Sequence, residues 1–432
     1  MGKINRVKEP AFKDIEKLTI PVAEKIKLNN GIPLFILKSG TQQMVRVEFV
    51  FKAGKWFEPD VLVATSTNTM LNEGTKKNNS QKLATVFDYF GSYIQLYSEN
   101  DRAGIVLYTL SKYFHDSIHL VADILYNSTF PTRELNIYLK NAKQEFLVNQ
   151  SRVSFLARQA FLESLFGQIH PYGRKTETED FEKVNRDALI MYYNKYYRSS
   201  NLEILVSGNW NFDIKEVLNQ LFGVKSSTSE VIHQPELIYP EKKEQDKRII
   251  VEKSEAIQSS IRIGKQSINR RHTDFIALRF LTTVLGGYFG SRLMKNIRED
   301  KGYTYGISAQ LISLEQEGYF VISSDVGSEV CHKAIDQVHL EIKKIKEHQA
   351  ETKEIELVRN YVLGNWLRIF DGPMATAESY RILIDYGFDI SYFEKALDTI
   401  RNITPEQLIV LANRYFQEDS FNEVIAGKVS NN

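Results

Sequence analysis

Through the first half of this 432-residue chain, short runs of alternating apolar and polar positions give way to longer runs in which apolar residues recur every three to four positions. The period-two runs predict strands over 32–37, 45–53, 93–97 and 104–110. The helical period predicts helices over 61–72, 81–90 and 114–126, and one long helix over 132–166. The second half runs in the same order. Strands are expected over 248–252, 260–264, 304–311 and 318–325, and helices over 274–285, 291–299, 333–347 and 352–369. Hairpin-like strand pairs beside long helices argue for α+β layers rather than a doubly wound parallel sheet.

The two halves also repeat in sequence. Asp187 to Gly208 reads DALIMYYNKYYRSSNLEILVSG and Glu406 to Gly427 reads EQLIVLANRYFQEDSFNEVIAG, without a gap between the copies. Leu189 falls on Leu408, Asn194 on Asn413, Tyr196 on Tyr415 and Gly208 on Gly427. Each copy predicts an amphipathic helix, a polar turn and an apolar strand. A repeat of this length is far above the roughly 20–50 residues of solenoid units and indicates duplicated domains. The polar stretch 223–247, rich in Ser, Glu and Lys and holding Pro235 and Pro240, reads as the linker. Two homologous domains are therefore expected, 1–222 and 248–432, each an antiparallel-rich sheet packed with helices.

Composition narrows the function. Apolar residues make up 43% of the chain, charged residues 25% and aromatics 12%, enough for cores of ordinary size. The formal net charge is +1 with basic residues scattered, which argues against nucleic-acid or membrane-surface binding. No run of about 18 apolar residues predicts a membrane span, and the start shows no signal-peptide core. The single cysteine, Cys331, provides neither a disulfide framework nor a metal site. A cytoplasmic location is expected, and the sequons at Asn78 and Asn127 read as chance matches.

Most of the candidate chemistry lies in GGYFGSRLMKNIREDKGYTYG, Gly286 to Gly306. A glycine-rich turn leads into a short helix carrying Arg298, Gly302 breaks it, and a strand opens with Tyr305. A cation and a phenol seven residues apart across such a turn suit holding a carbonyl oxygen as it gains negative charge. The plainer alternatives are a surface ion pair for Arg298 within IREDK and a core position for Tyr305. GGYFG lacks the spacing of a dinucleotide fingerprint, and no G-x-S-x-G elbow occurs. His115 and His119 share a helix face but lack an evident third ligand, so an exposed pair is expected. His170 reads as structural, and His339 and His348 as surface residues.

The duplicated halves, the LFGQIHPYG run Leu165–Gly173 and the Gly286–Gly306 segment together resemble the M16 (insulinase and processing-peptidase-like) metallopeptidase family over nearly the whole chain. The resemblance implies a clamshell half of two homologous domains. In the family, an H-x-x-E-H helix of the first domain and a glutamate one long helix later bind zinc, and the second domain contributes an Arg and a Tyr. Arg298 and Tyr305 fall on that pair. ATSTNTMLNEGT, Ala64 to Thr75, keeps the frame around the zinc motif but has Thr65 and Thr69 at the histidine positions and Asn68 at the glutamate position. A threonine hydroxyl is a poor zinc ligand, and an amide cannot serve as a general base. Glu145 stands at the third-ligand position, either as a solvated helix residue or as a relic bonded to Thr65 or Thr69.

The resemblance therefore implies no zinc in this chain. It points to the zinc-free subunit of a heterodimeric peptidase whose H-x-x-E-H-bearing partner carries zinc, with Arg298 and Tyr305 positioning an extended peptide held by β-augmentation. The alternative is a catalytically inactive structural or peptide-binding scaffold. A stand-alone zinc peptidase using other ligands is the third reading, and self-association of the isolated chain stays open.

Overall fold

The computed structural model describes residues 20–224 and 247–428; the expected linker 223–247 lies almost wholly outside them. The first sheet is formed by β1 (Glu24–Lys27), β2 (Pro33–Lys38), β3 (Met44–Phe51), β4 (Tyr93–Ser98), β5 (Ala103–Leu110) and β6 (Leu202–Gly208). Its spatial order is β1-β2-β6-β3-β5-β4. The second contains β7 (Arg248–Glu252), β8 (Gln258–Ser267), β9 (Thr304–Ser313), β10 (Gly318–Gly327) and β11 (Asn422–Gly427), in the order β7-β11-β8-β10-β9. Without β1 the two orders are the same. In each, the last strand pairs parallel with the first and antiparallel with the second, β6 on β2 and β3, β11 on β7 and β8. The fold is α+β, with mixed but mainly antiparallel sheets.

The helices of the first half are α1 (Val63–Thr69), α2 (Ser80–Tyr89), α3 (Phe114–Asn127), α4 (Thr132–Gln150), α5 (Val153–Phe166), α6 (Asp180–Lys183), α7 (Arg186–Tyr196) and α8 (Ile214–Phe222). Those of the second are α9 (Phe275–Thr282), α10 (Cys331–Glu347), α11 (Thr352–Ile369), α12 (Gly372–Tyr386), α13 (Ser391–Asn402) and α14 (Pro405–Tyr415). The repeat seen in sequence is α7–β6 against α14–β11. Its helices start alike: Asn185 accepts from Ala188 N at 3.0 Å, and Thr404 from Gln407 N at 3.3 Å within a capping box. Its strands end alike, on Gly208 (φ +122°) and Gly427 (φ +142°). A Cβ at Gly208 would lie 2.1 Å from the Met44 carbonyl oxygen, and one at Gly427 would lie 2.7 Å from Ser259 Cα. Only glycine suits either position.

One expectation is corrected. The long helix predicted over 132–166 is two helices, α4 and α5, broken at Ser151–Arg152 without Gly or Pro. Ser151 Oγ bonds back to Val148 O at 2.7 Å, and Lys253 Nζ donates to the freed Ser151 carbonyl at 2.6 Å. The break lets α5 leave its own half and pack on β8 and β11 of the second sheet. Its counterpart α12, absent from the periodicity reading, packs on β6 and β2 of the first. This exchange buries both faces of the central strands. On β11, Val424 and Ala426 join the core of the first half while Ile425 joins that of the second; on β6, Ile204 and Val206 face one core and Leu205 the other. Two buried faces explain why both strands read as nearly continuous apolar runs.

Charged side chains tie the halves together. Arg381 of α12 bonds Glu48 of β3 and Tyr97 of β4, and pairs with Asp385 at 3.1 Å. Arg102 bonds Glu315 and pairs with Glu203 at 3.4 Å and Asp385 at 3.5 Å. Asp101 accepts from Tyr172 and, at 3.2 Å, from Glu315 N. Burial pushes the Asp101 carboxyl up to about 6, against the Tyr172 hydrogen bond.

Candidate functional site

Two segments hold the residues singled out by sequence, one between the second and third major strands of each half. In the second half, α9 winds on through a wider turn, Thr283–Gly287. Gly286 lies so close to β9 that a Cβ would sit 2.6 Å from Ala309 N. The next helix also winds wide over Met294–Asp300, with Lys301 N bonding Asn296 O five residues back at 3.0 Å. Wide turns of this kind concentrate at functional sites. The helix is fixed on its inner side by Leu293, Met294 and Ile297. Asn296 Nδ2 donates to Glu341 at 2.7 Å, and Arg292 makes a bidentate pair with Glu354 at 2.8 and 2.9 Å.

Gly302, at φ +67°, reverses the chain, and Tyr303 N bonds Ile297 O at 3.0 Å. Thr304 Oγ1 then donates to Asp325 O at 2.7 Å and accepts from Gly306 N at 3.0 Å, pinning the start of β9. On this rigid base Tyr305 is 92% exposed, which removes the core-aromatic alternative. The half-buried Arg298 guanidinium stands over the Phe289 ring, 4.4 Å from its centroid. Among the described residues Arg298 has no carboxylate partner, so the surface-pair alternative is not what forms. Arg298 and Tyr305 flank one turn, with no hydrogen bond between them, and both keep uncommitted donors.

The corresponding stretch of the first half is differently built. Leu62 enters α1 at φ +77°, and its side chain offers no cap. The buried Glu58 carboxyl oxygen accepts from Ala64 N at 3.0 Å instead, satisfying a free N–H at the helix start. Burial pushes Glu58 up to about 7, against the Ala64 N–H and the Arg174 charge. Asn68 is 1% exposed and donates both to Gly104 O and to the Tyr197 hydroxyl, each at 3.1 Å. Its amide belongs to the core. Thr65 and Thr69 are half-buried on the same helix. Glu145 is exposed on α4 and bonded to neither, so of its two sequence readings the solvated one describes it.

These residues do not fit zinc. They offer two hydroxyls, an amide committed elsewhere and an exposed carboxylate, and no three His, Cys, Asp or Glu side chains cluster as a donor set among the described residues. His115 and His119 are exposed on α3, with His115 against Phe212. His170 is buried between Trp56 and Phe166, accepting from Tyr172 N at 3.0 Å. His339 pairs with Glu423 at 2.6 Å, and His348 is exposed. No helix among the described residues is long and apolar enough to cross a membrane.

Sequence reasoning missed a cavity of about 460 Å³ between the halves, lined by Glu99, Asp101, Arg102, Arg270, Glu315 and Asp385 among others. Its residues come from strand ends, the loops beside them, α5 and α12, and no local spacing unites them.

Family models match in two adjoining stretches: insulinase (peptidase family M16) over residues 34–179 and the peptidase M16 inactive domain over 183–362. An uncharacterized zinc protease of Rickettsia bellii is 24% identical over 411 residues, 92% of this chain and 96% of the relative. A Helicobacter pylori protein named non-peptidase homolog YmxG is 20% identical, over 68% of each chain. The crystal structure of a peptidase M16 inactive domain from Pseudomonas fluorescens superposes with a TM-score of 0.86 at 21% identity, covering 94% of this chain and 98% of that one.

Proposed function

This chain belongs to peptidase family M16, and from that premise we propose that it is the zinc-free subunit of a two-chain peptidase, active only beside a partner bearing H-x-x-E-H. Its domains are 1–222 and 248–432, joined by the 223–247 linker, and it works in the cytoplasm. The partner binds the zinc and supplies the activated water. Arg298 and Tyr305 hold the scissile peptide, and each donates a hydrogen bond to the carbonyl oxygen as it becomes an oxyanion. One observation carries the reading: both donors stand uncommitted on a pinned turn, while α1 of the same chain offers no zinc ligands. Donors held rigid and unpaired before substrate arrives lose no prior bond in the reaction.

The test is reconstitution with an H-x-x-E-H-bearing chain and a peptide-hydrolysis assay. Arg298→Ala or Tyr305→Phe should leave assembly intact and lower turnover by about 10²–10³. Unchanged turnover in both variants would end this assignment. The second reading, an inactive structural or peptide-binding scaffold, is favoured by the likeness to a protein named non-peptidase homolog. It predicts that adding this chain to such a partner raises hydrolysis with neither wild type nor variant.

A further inference from the structure

A groove of about 470 Å³ lies between β9, α9 and α11 of the second half. Five consecutive residues of β9, Ala309 to Ser313, border it. Successive side chains of a strand point to opposite faces, so a groove touched by five in a row runs along the strand edge, not over one face. That edge is open: β9 pairs with β10 alone. An unpaired edge offers a row of backbone donors and acceptors to an extended chain.

The charge of the groove is one-sided. Arg270 and Arg279 line it, and no Asp or Glu does. Arg270 donates to the Tyr392 hydroxyl at 3.1 Å and stacks on Phe275. The Arg279 guanidinium has no hydrogen-bond or carboxylate partner among the described residues. Arg279 is exposed at the groove wall, where the like charge of Arg270 faces it. The fold does not impose this polarity. A groove of about 400 Å³ beside β4, the corresponding edge strand of the first sheet, is lined by Glu73 and Asp88 and by no Lys or Arg.

We propose that the β9 edge groove binds an extended acidic peptide segment, its backbone pairing with Ala309–Ser313 and its carboxylate received by Arg279 beside Arg270. Small anions share the carboxylate chemistry but need no strand edge. Tyr305 opens the same strand, so a peptide in this groove runs on toward the Arg298–Tyr305 turn. The proposal takes the peptide nature of the occupant from the preceding reading, but the groove needs no partner chain and no hydrolysis.

Fluorescence anisotropy on the full chain alone tests it. A labelled eight-residue Val/Thr peptide with two central Glu residues should bind about tenfold more tightly than the same peptide with Gln, the gain expected for one charge-assisted hydrogen bond. Arg279→Ala should abolish that preference and Arg279→Lys should keep part of it, with thermal melts confirming that both fold. Alternate N-methylation of the acidic peptide should remove binding while leaving its charges in place. Binding to the chain alone is read without a partner and without hydrolysis, so a Glu-over-Gln preference that survives when turnover of the reconstituted pair fails separates failure here from failure of the catalytic reading. Equal affinity for the Glu and Gln peptides, or an unchanged preference in Arg279→Ala, would overturn the proposal. So would full binding of the N-methylated peptide, or inorganic phosphate displacing the peptide at concentrations equal to the peptide's own dissociation constant, because each marks a small-anion site.

Discussion

The two halves share strand order, helix order and even the glycine that ends the central strand, yet they present opposite surfaces at corresponding places. In the first half, α1 draws Asn68 into the core and is capped by a buried carboxyl group. In the second, the turn after the wide-wound helix holds Tyr305 in solvent and leaves Arg298 against one exposed ring. Packing preserved the scaffold in both because each sheet needs the helix that the other half lends it. Outward-facing side chains carry no such constraint, so the chemistry of the halves diverged where the fold did not need it.

That contrast can be broken at several points. The largest expected loss is from Arg381→Ala, which leaves Glu48 and Tyr97 buried without their cross-half partner; about 3–5 kcal/mol should disappear from denaturant unfolding. A loss under about 1 kcal/mol would mean that the halves do not depend on this joint. Next come the paired glycines. Gly208→Ala and Gly427→Ala should each cost about 1–3 kcal/mol, Gly208 the more, since its added methyl meets a backbone oxygen at 2.1 Å. Tolerance at one and not the other would show that the strand ends are not equivalent.

A smaller, pH-dependent effect belongs to Glu58. Its folded-state pKa of about 7 lies above the ordinary 4.5, so the folded chain holds the proton more tightly than the unfolded one. Its contribution is most favourable below pH 4.5 and is lost as pH rises to about 7. Glu58→Gln keeps an acceptor for Ala64 N. It should match wild type near pH 4.5 and exceed it by on the order of 2 kcal/mol at pH 8, read from unfolding midpoints across that range. Asp101, raised to about 6, titrates in the same window and should persist in the variant. The smallest effect is at Glu145: Glu145→Gln should change stability by less than about 0.5 kcal/mol and leave zinc content, measured by elemental analysis, where it was. A fall in bound zinc would reopen the third-ligand position.

Much of the fold was legible. The 187–208 and 406–427 repeat announced the duplication because its central strands are buried on both faces and its helices need the same caps, leaving little freedom at Leu189, Leu408 or Gly427. The further correspondence of α5 with α12 was not legible. Those helices rest on different sheets, and complementary packing keeps shape without keeping residue identity. The break at Ser151–Arg152 was equally hidden, since no Gly or Pro marks it and a lysine from the other half, Lys253, takes up the freed carbonyl.

By itself, then, the sequence determined the order of most elements, the duplication and the family frame, because period, turn chemistry and spacing are local properties. Only the tertiary structure decided that Asn68 faces the core, that Tyr305 faces solvent, that charged residues 333 positions apart such as Glu48 and Arg381 meet, and that the β9 edge groove is lined by arginines and the β4 edge groove by carboxylates. Burial and charge environment depend on what the rest of the chain brings alongside, and that is settled by how the two halves exchange helices.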